Sequence, residues 1–80
     1  MITALVVARN EEARLPGCLA SLAWADEVVV VLDRSTDASA AIARAAGAVV
    51  LEGGWALEGE RRNAGIAACT GPWVLEVDAD

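Results

Sequence analysis

Residues 27–33, Glu-Val-Val-Val-Val-Leu-Asp, constrain the fold more than any other stretch of the chain. Side chains alternate between faces along an extended segment, so four consecutive valines place β-branched groups on both. A strand that is apolar on both faces must be covered on both. That is the position of a central strand in a parallel sheet, whose connections supply helices to cover it.

The remaining chain offers those elements in alternation. Residues 2–8 (Ile-Thr-Ala-Leu-Val-Val-Ala) form a continuous apolar run of strand length. Asn10 is a capping candidate for the helix after this strand, with Glu11 and Glu12 near the positive end of that helix. Leu15, Cys18, Leu19 and Leu22 fall at i, i+3, i+4 and i+7, one helical face. Proline is tolerated only in a first turn, so the regular helix is predicted to start at Pro16 after a looser turn. After the valine strand, Ser35-Thr36-Asp37 supplies a cap. Residues 38–46 are a strong helix former that Gly47 ends in a left-handed conformation. Residues 48–51 read as a short strand and Gly53-Gly54-Trp55 as a loop. A third helix is predicted from Leu57 or Glu58 to Cys69, with Arg62, Ile66 and Cys69 on one face. Gly71-Pro72 stops it, and residues 73–78 form a fourth strand.

The order β-α-β-α-β-α-β predicts an α/β, Rossmann-like parallel sheet with right-handed crossovers and helices on both faces. Eighty residues make one small domain, which buries only about 60% of the surface its unfolded chain exposes. With 56% hydrophobic residues, 18 alanines among them, the chain has ample apolar surface to fold, and disorder is excluded. The alanines of the second helix read as close packing against a sheet.

Composition also removes classes of chemistry. The chain has no histidine and no lysine, and its six arginines face twelve acids for a net charge of −6. Histidine catalysis is excluded, and non-specific nucleic-acid binding does not fit that balance. Residues 1–8 lack a basic leader and are too short for a signal peptide. No stretch reaches the roughly 20 apolar residues that span a bilayer. Cys18 and Cys69 are lone thiols, read as small buried hydrophobes in a reducing cytoplasm.

The carboxyl ends of parallel strands share one edge, where ligands bind at the point at which strand order reverses. Polar residues collect there. Arg9, Asn10 and Glu11 follow the first strand; Asp33, Arg34 and Ser35 follow the second; Asp78 and Asp80 follow the fourth. Asp78-Ala-Asp80 is the sharpest feature, because two carboxylates two residues apart repel by about 4 kcal/mol at 4 Å in a medium of effective dielectric 20. A divalent cation turns that repulsion into binding, and magnesium or manganese combines a few carboxylates with substrate phosphate oxygens. Asp33 ends a buried strand with no ion-pair partner evident in the sequence, and reads as a solvated terminus or as an acceptor for a nucleoside base or ribose. Arg61, Arg62 and Asn63 open the third helix, either as a solvated face or with Arg62 or Asn63 bracing a nucleotide and the second acid of the pair. Trp24, Trp55 and Trp73 read as core or rim fillers.

Residues 5–12 (Leu-Val-Val-Ala-Arg-Asn-Glu-Glu), Leu15-Pro16, Cys18-Leu19, residues 28–37 (Val-Val-Val-Val-Leu-Asp-Arg-Ser-Thr-Asp), Arg62-Asn63-Ala64-Gly65 and Val77-Asp78-Ala79-Asp80 together resemble the amino-terminal half of family 2 glycosyltransferases of the GT-A fold. The set covers nearly the whole chain and is most similar to bacterial members that build lipopolysaccharide core or other envelope glycans. The resemblance implies that Ala8, Arg9 and Glu11 line a nucleoside pocket and that Asp33 contacts the uracil or ribose. It places Arg62 and Asn63 near the nucleotide and the donor sugar. Asp78 and Asp80 become the D-x-D that holds Mg2+ or Mn2+ on the diphosphate, Asp80 as the direct ligand. The implied partners are a UDP-sugar donor and a glycan or lipid-linked acceptor. The implied place is the cytoplasm, including a peripheral position at the inner membrane.

Two departures stand out. Leu32 occupies the position where the family usually carries another acid, and Arg34 the position where it usually carries glycine. The family's catalytic base is an acid well downstream of the D-x-D, in an acceptor half beyond residue 80. Residues 1–80 are therefore expected to be a donor-binding half, a fragment or truncated product incomplete for catalysis, with an apolar fourth-strand edge open to self-association. Three rivals remain. A D-x-D phosphatase would carry the motif after its first strand, and a nucleotidyltransferase would carry a Gly-rich basic loop there. A non-catalytic nucleotide-binding or interaction domain would leave the acids as solvated surface.

Overall fold

The computed structural model of the chain describes residues 2–9, 12–34, 37–55, 58–69 and 73–78, leaving out the side chains of Glu58 and Asp78. Four strands and three helices alternate as the apolar pattern requires: β1 (Ile2–Ala8), α1 (Leu15–Ser21), β2 (Glu27–Asp33), α2 (Ser39–Ala45), β3 (Val49–Gly53), α3 (Glu58–Ala68) and β4 (Trp73–Asp78). All pairings are parallel, in the order β3-β2-β1-β4. Strand order therefore reverses at β1. The first two crossovers build outward from it on one side, and β4 returns to its other side.

The sheet separates two apolar clusters. On one face Ala4, Val6, Ala8, Val30 and Leu32 pack with Leu15, Leu19 and Leu22 from α1 and its exit, and with Ala43 of α2. On the other, Leu5, Val29 and Val31 pack with Val7, Leu51, Trp55, Ala68 and Cys69, beneath α3. The predicted double-sided cover is present. Each fully buried leucine or valine stabilises the fold by about 1.5–3 kcal/mol relative to exposure.

Local chemistry accounts for most boundaries. Pro16 sits in the first turn of α1, one residue after the observed start at Leu15. Gly47 comes after α2 at φ 84°, the left-handed conformation expected of it. The amino-terminal edge is pinned by a bond from the Ile2 N–H to Asp26 Oδ2 at 2.7 Å and by the Thr3 hydroxyl donating to Glu27 Oε1 at 3.1 Å.

Two expectations need correction. The third strand runs to Gly53 rather than stopping at residue 51, because β2 continues the ladder through Leu32↔Glu52 and Asp33↔Gly53. Arg62, Ile66 and Cys69, read as one face of the third helix, do not share one environment: Cys69 follows α3 and packs at the core, while Arg62 and Ile66 are exposed. Ile66 is 43% exposed, whereas Gly65 is buried and a Cβ there would lie 2.7 Å from Leu5 Cδ1 and 2.8 Å from Val31 Cγ2. Helix α3 meets the sheet through small residues, so the larger side chain turns outward. Cys18 and Cys69 are free thiols packed at the margins of the core, and burial raises both above their ordinary value, with Glu27 adding to Cys69.

Candidate functional site

Sheet register decides which candidate residues share the carboxyl edge. Ala8 at the end of β1 pairs with Leu32, so Asp33 lies one step beyond it on the neighbouring strand. Across β1, Val7 pairs with Asp78. Asp33 and Asp78 thus flank the end of β1 from opposite sides, two strand spacings apart across the sheet and two residues apart along it, about 12 Å in all. This is the reversal point of the sheet, where ligands of open α/β folds bind. Ala8 is buried and Arg9 is exposed at the mouth between them. Glu11 and Asp80 lie outside the described residues, as does the side chain of Asp78.

Asp33 is the best-defined group at this edge, and its surroundings overturn the expectation of an acid without an ion-pair partner. Its side chain is 6% exposed, and four N–H donors converge on it. Oδ1 accepts from Arg34 Nε at 2.9 Å and from the Trp55 backbone N–H at 3.3 Å; Oδ2 accepts from Arg34 Nη2 at 3.3 Å and Arg61 Nη1 at 3.2 Å. The Arg34 bond holds the carboxyl below its ordinary value, against desolvation and with help from the Trp55 N–H and Arg61. Arg34 is correspondingly raised by Asp33. A carboxylate offers about four lone-pair directions, so these donors fill it.

Arg34 bends the chain to make this arrangement. Its φ is 53°, a left-handed conformation that costs a residue with a Cβ about 1–2 kcal/mol. Its N–H bonds to the Gly53 carbonyl, and its guanidinium Nη2 to the Trp55 carbonyl at 2.6 Å. The side chain lies over Gly54, where a Cβ would come within 3.1 Å of Arg34 Cγ. Gly53-Gly54-Trp55 is therefore a loop shaped to receive Arg34 and the Trp55 ring.

Helix α3 contributes two arginines to different partners. Arg61 reaches Asp33, while Arg62 Nε pairs with Glu76 Oε2 of β4 at 3.2 Å, two residues before Asp78. The structure thus places Arg62 against the strand that leads to the D-x-D. Asn63 is exposed on the same helix. A second link joins the segments after β1 and β2. The Glu12 N–H donates to Asp37 Oδ2 at 3.1 Å, and Glu12 Oε2 accepts from the Ala38 N–H at 3.3 Å. Asp37 also accepts from the Ser39 N–H at 3.0 Å. The Ser39 hydroxyl, then the backbone N–H groups of Ser39 and Glu12, hold Asp37 below its ordinary value against desolvation.

The roles of Arg34, Arg61 and the Trp55 backbone around Asp33, and the Glu12–Asp37 link, are not evident from sequence. The available signal is Asp33 itself: a buried carboxylate demands donors, and Arg34 follows it directly, whereas nothing in the sequence singles out Arg61 from the nearer arginines. As for the tryptophans, Trp55 fills the α3-side core, while Trp24 and Trp73 are 56% and 71% exposed.

Among the described residues no cluster of three His, Cys, Asp or Glu forms a cage for a metal. The D-x-D pair fits Mg2+ or Mn2+ by donor chemistry, because two carboxylates give hard anionic oxygens and leave positions for phosphate and water. A groove of about 800 Å³ opens at the opposite edge, among Pro16, Leu19, Leu22, Ile42 and Val49 with Asp26 and Glu27 at its rim. It borders none of the candidate residues.

Comparison with known proteins identifies the family and the fold. The family model for glycosyl transferase family 2 matches residues 3–80. The lipopolysaccharide core biosynthesis glycosyltransferase LpsC of Rhizobium meliloti is 33% identical over 89 residues, covering 99% of this chain and 31% of that protein. A TPR repeat-containing protein of Synechococcus elongatus is 42% identical, covering 99% of this chain and 20% of its own length. An uncharacterized glycosyltransferase of Rickettsia typhi is 35% identical, at 99% and 27%. The chain thus spans about a fifth to a third of these relatives. Among solved structures, glucosyl-3-phosphoglycerate synthase from Mycobacterium tuberculosis in complex with Mn2+, UDP-glucose and glycerol 3-phosphate superposes with a TM-score of 0.87 at 28% identity, over all of this chain and 34% of that one. The same enzyme with Mn2+, UDP and glucosyl-3-phosphoglycerate gives 0.84. With the family model matched over nearly the whole chain and the superposition covering all of it, the chain belongs to glycosyl transferase family 2 and has the fold of the amino-terminal region of a GT-A glycosyltransferase.

Proposed function

We propose that residues 1–80 form the donor-binding half of a glycosyltransferase that moves a sugar from a UDP-sugar to a glycan or lipid-linked acceptor. One observation carries this reading: the register that sets Asp33 and Asp78 on either side of the β1 terminus. Their spacing of about two strands suits a ligand with a nucleoside at one end and a diphosphate at the other. The nucleoside lies over Ala8 and Arg9 with Glu11 beside it, and Asp33 accepts a hydrogen bond from its base or ribose. Arg62 and Asn63 stand toward the diphosphate and the donor sugar. Asp78 and Asp80 hold Mg2+ or Mn2+, Asp80 directly. That ion, when bound, neutralises charge gathering on the departing nucleoside diphosphate.

The structural neighbours solved with Mn2+ or Mg2+ and UDP support the cation and the nucleotide, and the similarity to LpsC supports an envelope-glycan acceptor. We assign deprotonation of the acceptor to an acid downstream of Asp80 and place the reaction in the cytoplasm, at the inner face of the membrane where lipid-linked acceptors lie. The attachment proposed is peripheral; no helix among the described residues is long and apolar enough to cross a membrane. Trp73, Val74 and Leu75, exposed on β4, are where self-association through the sheet edge is placed.

Titration of Mn2+ with and without UDP, followed by tryptophan fluorescence, tests the reading. A saturable response to UDP that requires Mn2+, together with weakened metal-free uridine binding in Asp33→Ala, is expected. An absent nucleotide response, or a loss in Asp33→Ala confined to the diphosphate, would overturn respectively the donor site or the nucleoside role of Asp33.

A further inference from the structure

The four donors on Asp33 pose a problem for a residue that must also receive a nucleoside. Every lone-pair direction of the carboxylate is already directed at an N–H group, and a fifth donor has no place until one leaves. The four are not equally able to leave. The Trp55 N–H belongs to the backbone of the loop whose glycines fit it closely. Arg61 rises from α3 and its side chain is 22% exposed. Arg34 is 53% exposed, and its guanidinium alone supplies two of the four bonds. Its backbone is fixed by the bond to the Gly53 carbonyl, so the side chain can swing out without moving the strand end.

We propose that Arg34 is an internal competitor for the nucleoside: its guanidinium occupies Asp33 in the free protein, and the nucleoside binds by displacing it. The proposal rests on the nucleoside role given to Asp33 above. Displacement frees two carboxylate positions and the Trp55 carbonyl together, a set of adjacent acceptors suited to a ligand with neighbouring N–H or O–H donors. Arg34 thus lowers affinity for the neutral nucleoside and makes binding depend on the rest of the donor, the diphosphate and its cation. It is a specificity-determining residue that acts through Asp33.

The position permits a clean test, because glycine adopts φ 53° without strain. Metal-free uridine affinity of the intact protein is measured by calorimetry for wild type, Arg34→Gly, Arg34→Gln, Arg34→Lys and Asp33→Asn. With its Arg34 end half exposed the pair competes only modestly, so Arg34→Gly and Arg34→Gln are expected to bind uridine about two- to fivefold more tightly. Arg34→Lys returns toward wild type. Uridine should shift the emission of half-buried Trp55 in wild type, and Arg34→Gly should show that shift before ligand is added. A purely structural role for Arg34 predicts weaker binding in both variants. Wild type that binds uridine, loses it in Asp33→Asn and is not improved by Arg34→Gly or Arg34→Gln would overturn the competition while leaving the nucleoside role of Asp33 intact. Uridine binding that is unchanged in Asp33→Asn, or absent from wild type and both variants, would remove the nucleoside role itself, and the competition with it.

Discussion

Two glycines in α3 make opposite predictions about the same substitution. Gly65 is buried where the helix crosses the sheet, and an added methyl would stand 2.7 Å from Leu5 Cδ1, 2.8 Å from Val31 Cγ2 and 3.3 Å from Leu5 Cδ2. Leu5 and Val31 are fully buried on adjacent central strands, so neither can withdraw freely. Overpacking of this kind costs about 1–3 kcal/mol. Alanine recovers up to about 1 kcal/mol through helix propensity, which leaves Gly65→Ala destabilised by about 0–2 kcal/mol. Gly59, near the start of the same helix, has no neighbour within 4 Å of the corresponding position. Gly59→Ala is expected to stabilise by about 0.4–1 kcal/mol, because only the unfolded-chain and propensity effects act there. Urea unfolding followed by circular dichroism should separate the two stabilities by about 0.4–3 kcal/mol, or about 2 °C or more in Tm for a domain of this size. The displaced helix should also loosen the Arg61–Asp33 pair, now 3.2 Å, in Gly65→Ala alone. Equal stability of the two variants would refute the close approach of α3 to the sheet.

The carboxylates give a pH signature with a definite sign. Asp33 and Asp37 are both held below their ordinary value of 3.8, so their contribution is fully present above it and is lost as pH falls through the lower folded values. Stability to urea should be level with respect to these groups above about pH 5 and decline below about pH 4. Asp33→Asn should flatten part of that decline, and an unchanged slope would contradict the four-donor arrangement. The Glu12–Asp37 link predicts unequal single variants. Asp37→Ala loses a helix-end acceptor and is expected to cost about 0.5–2 kcal/mol, whereas Glu12→Ala, exposed, costs about 0.5 kcal/mol or less. Each carboxylate bonds a backbone N–H of the other segment, so the two losses should add to within about 0.5 kcal/mol; an Asp37→Ala variant as stable as wild type would dissolve the link.

How much of this structure is legible in the sequence depends on how local each interaction is. The valines of 28–31 demand cover on both faces, so the parallel sheet and its helices can be read directly. The left-handed turn at Gly47 is equally local. The buried face of α3 is not legible, because hydrophobic periodicity favours Ile66, while close helix–sheet contact selects Gly65 and Ala68, whose smallness carries no periodic signal. The partners of Asp33 are hidden for another reason. Arg61 is 28 positions away and comes near only once β2, β3 and α3 are assembled. Arg34 is adjacent, yet its role depends on a positive φ and on the Gly54 surface beneath it, neither visible before folding. The Asp78-Ala79-Asp80 pair is legible from its charge and its place after an apolar strand, and motif resemblance supplies the family, which periodicity alone cannot.

The cation-held diphosphate is the central claim, and calorimetry of UDP binding with and without Mn2+ tests it most directly in wild type and Asp80→Ala. The expected result is Mn2+-dependent binding in wild type that is lost in Asp80→Ala, with metal-free uridine affinity and thermal stability preserved. Equal UDP affinity in both proteins, or binding indifferent to Mn2+, would contradict it.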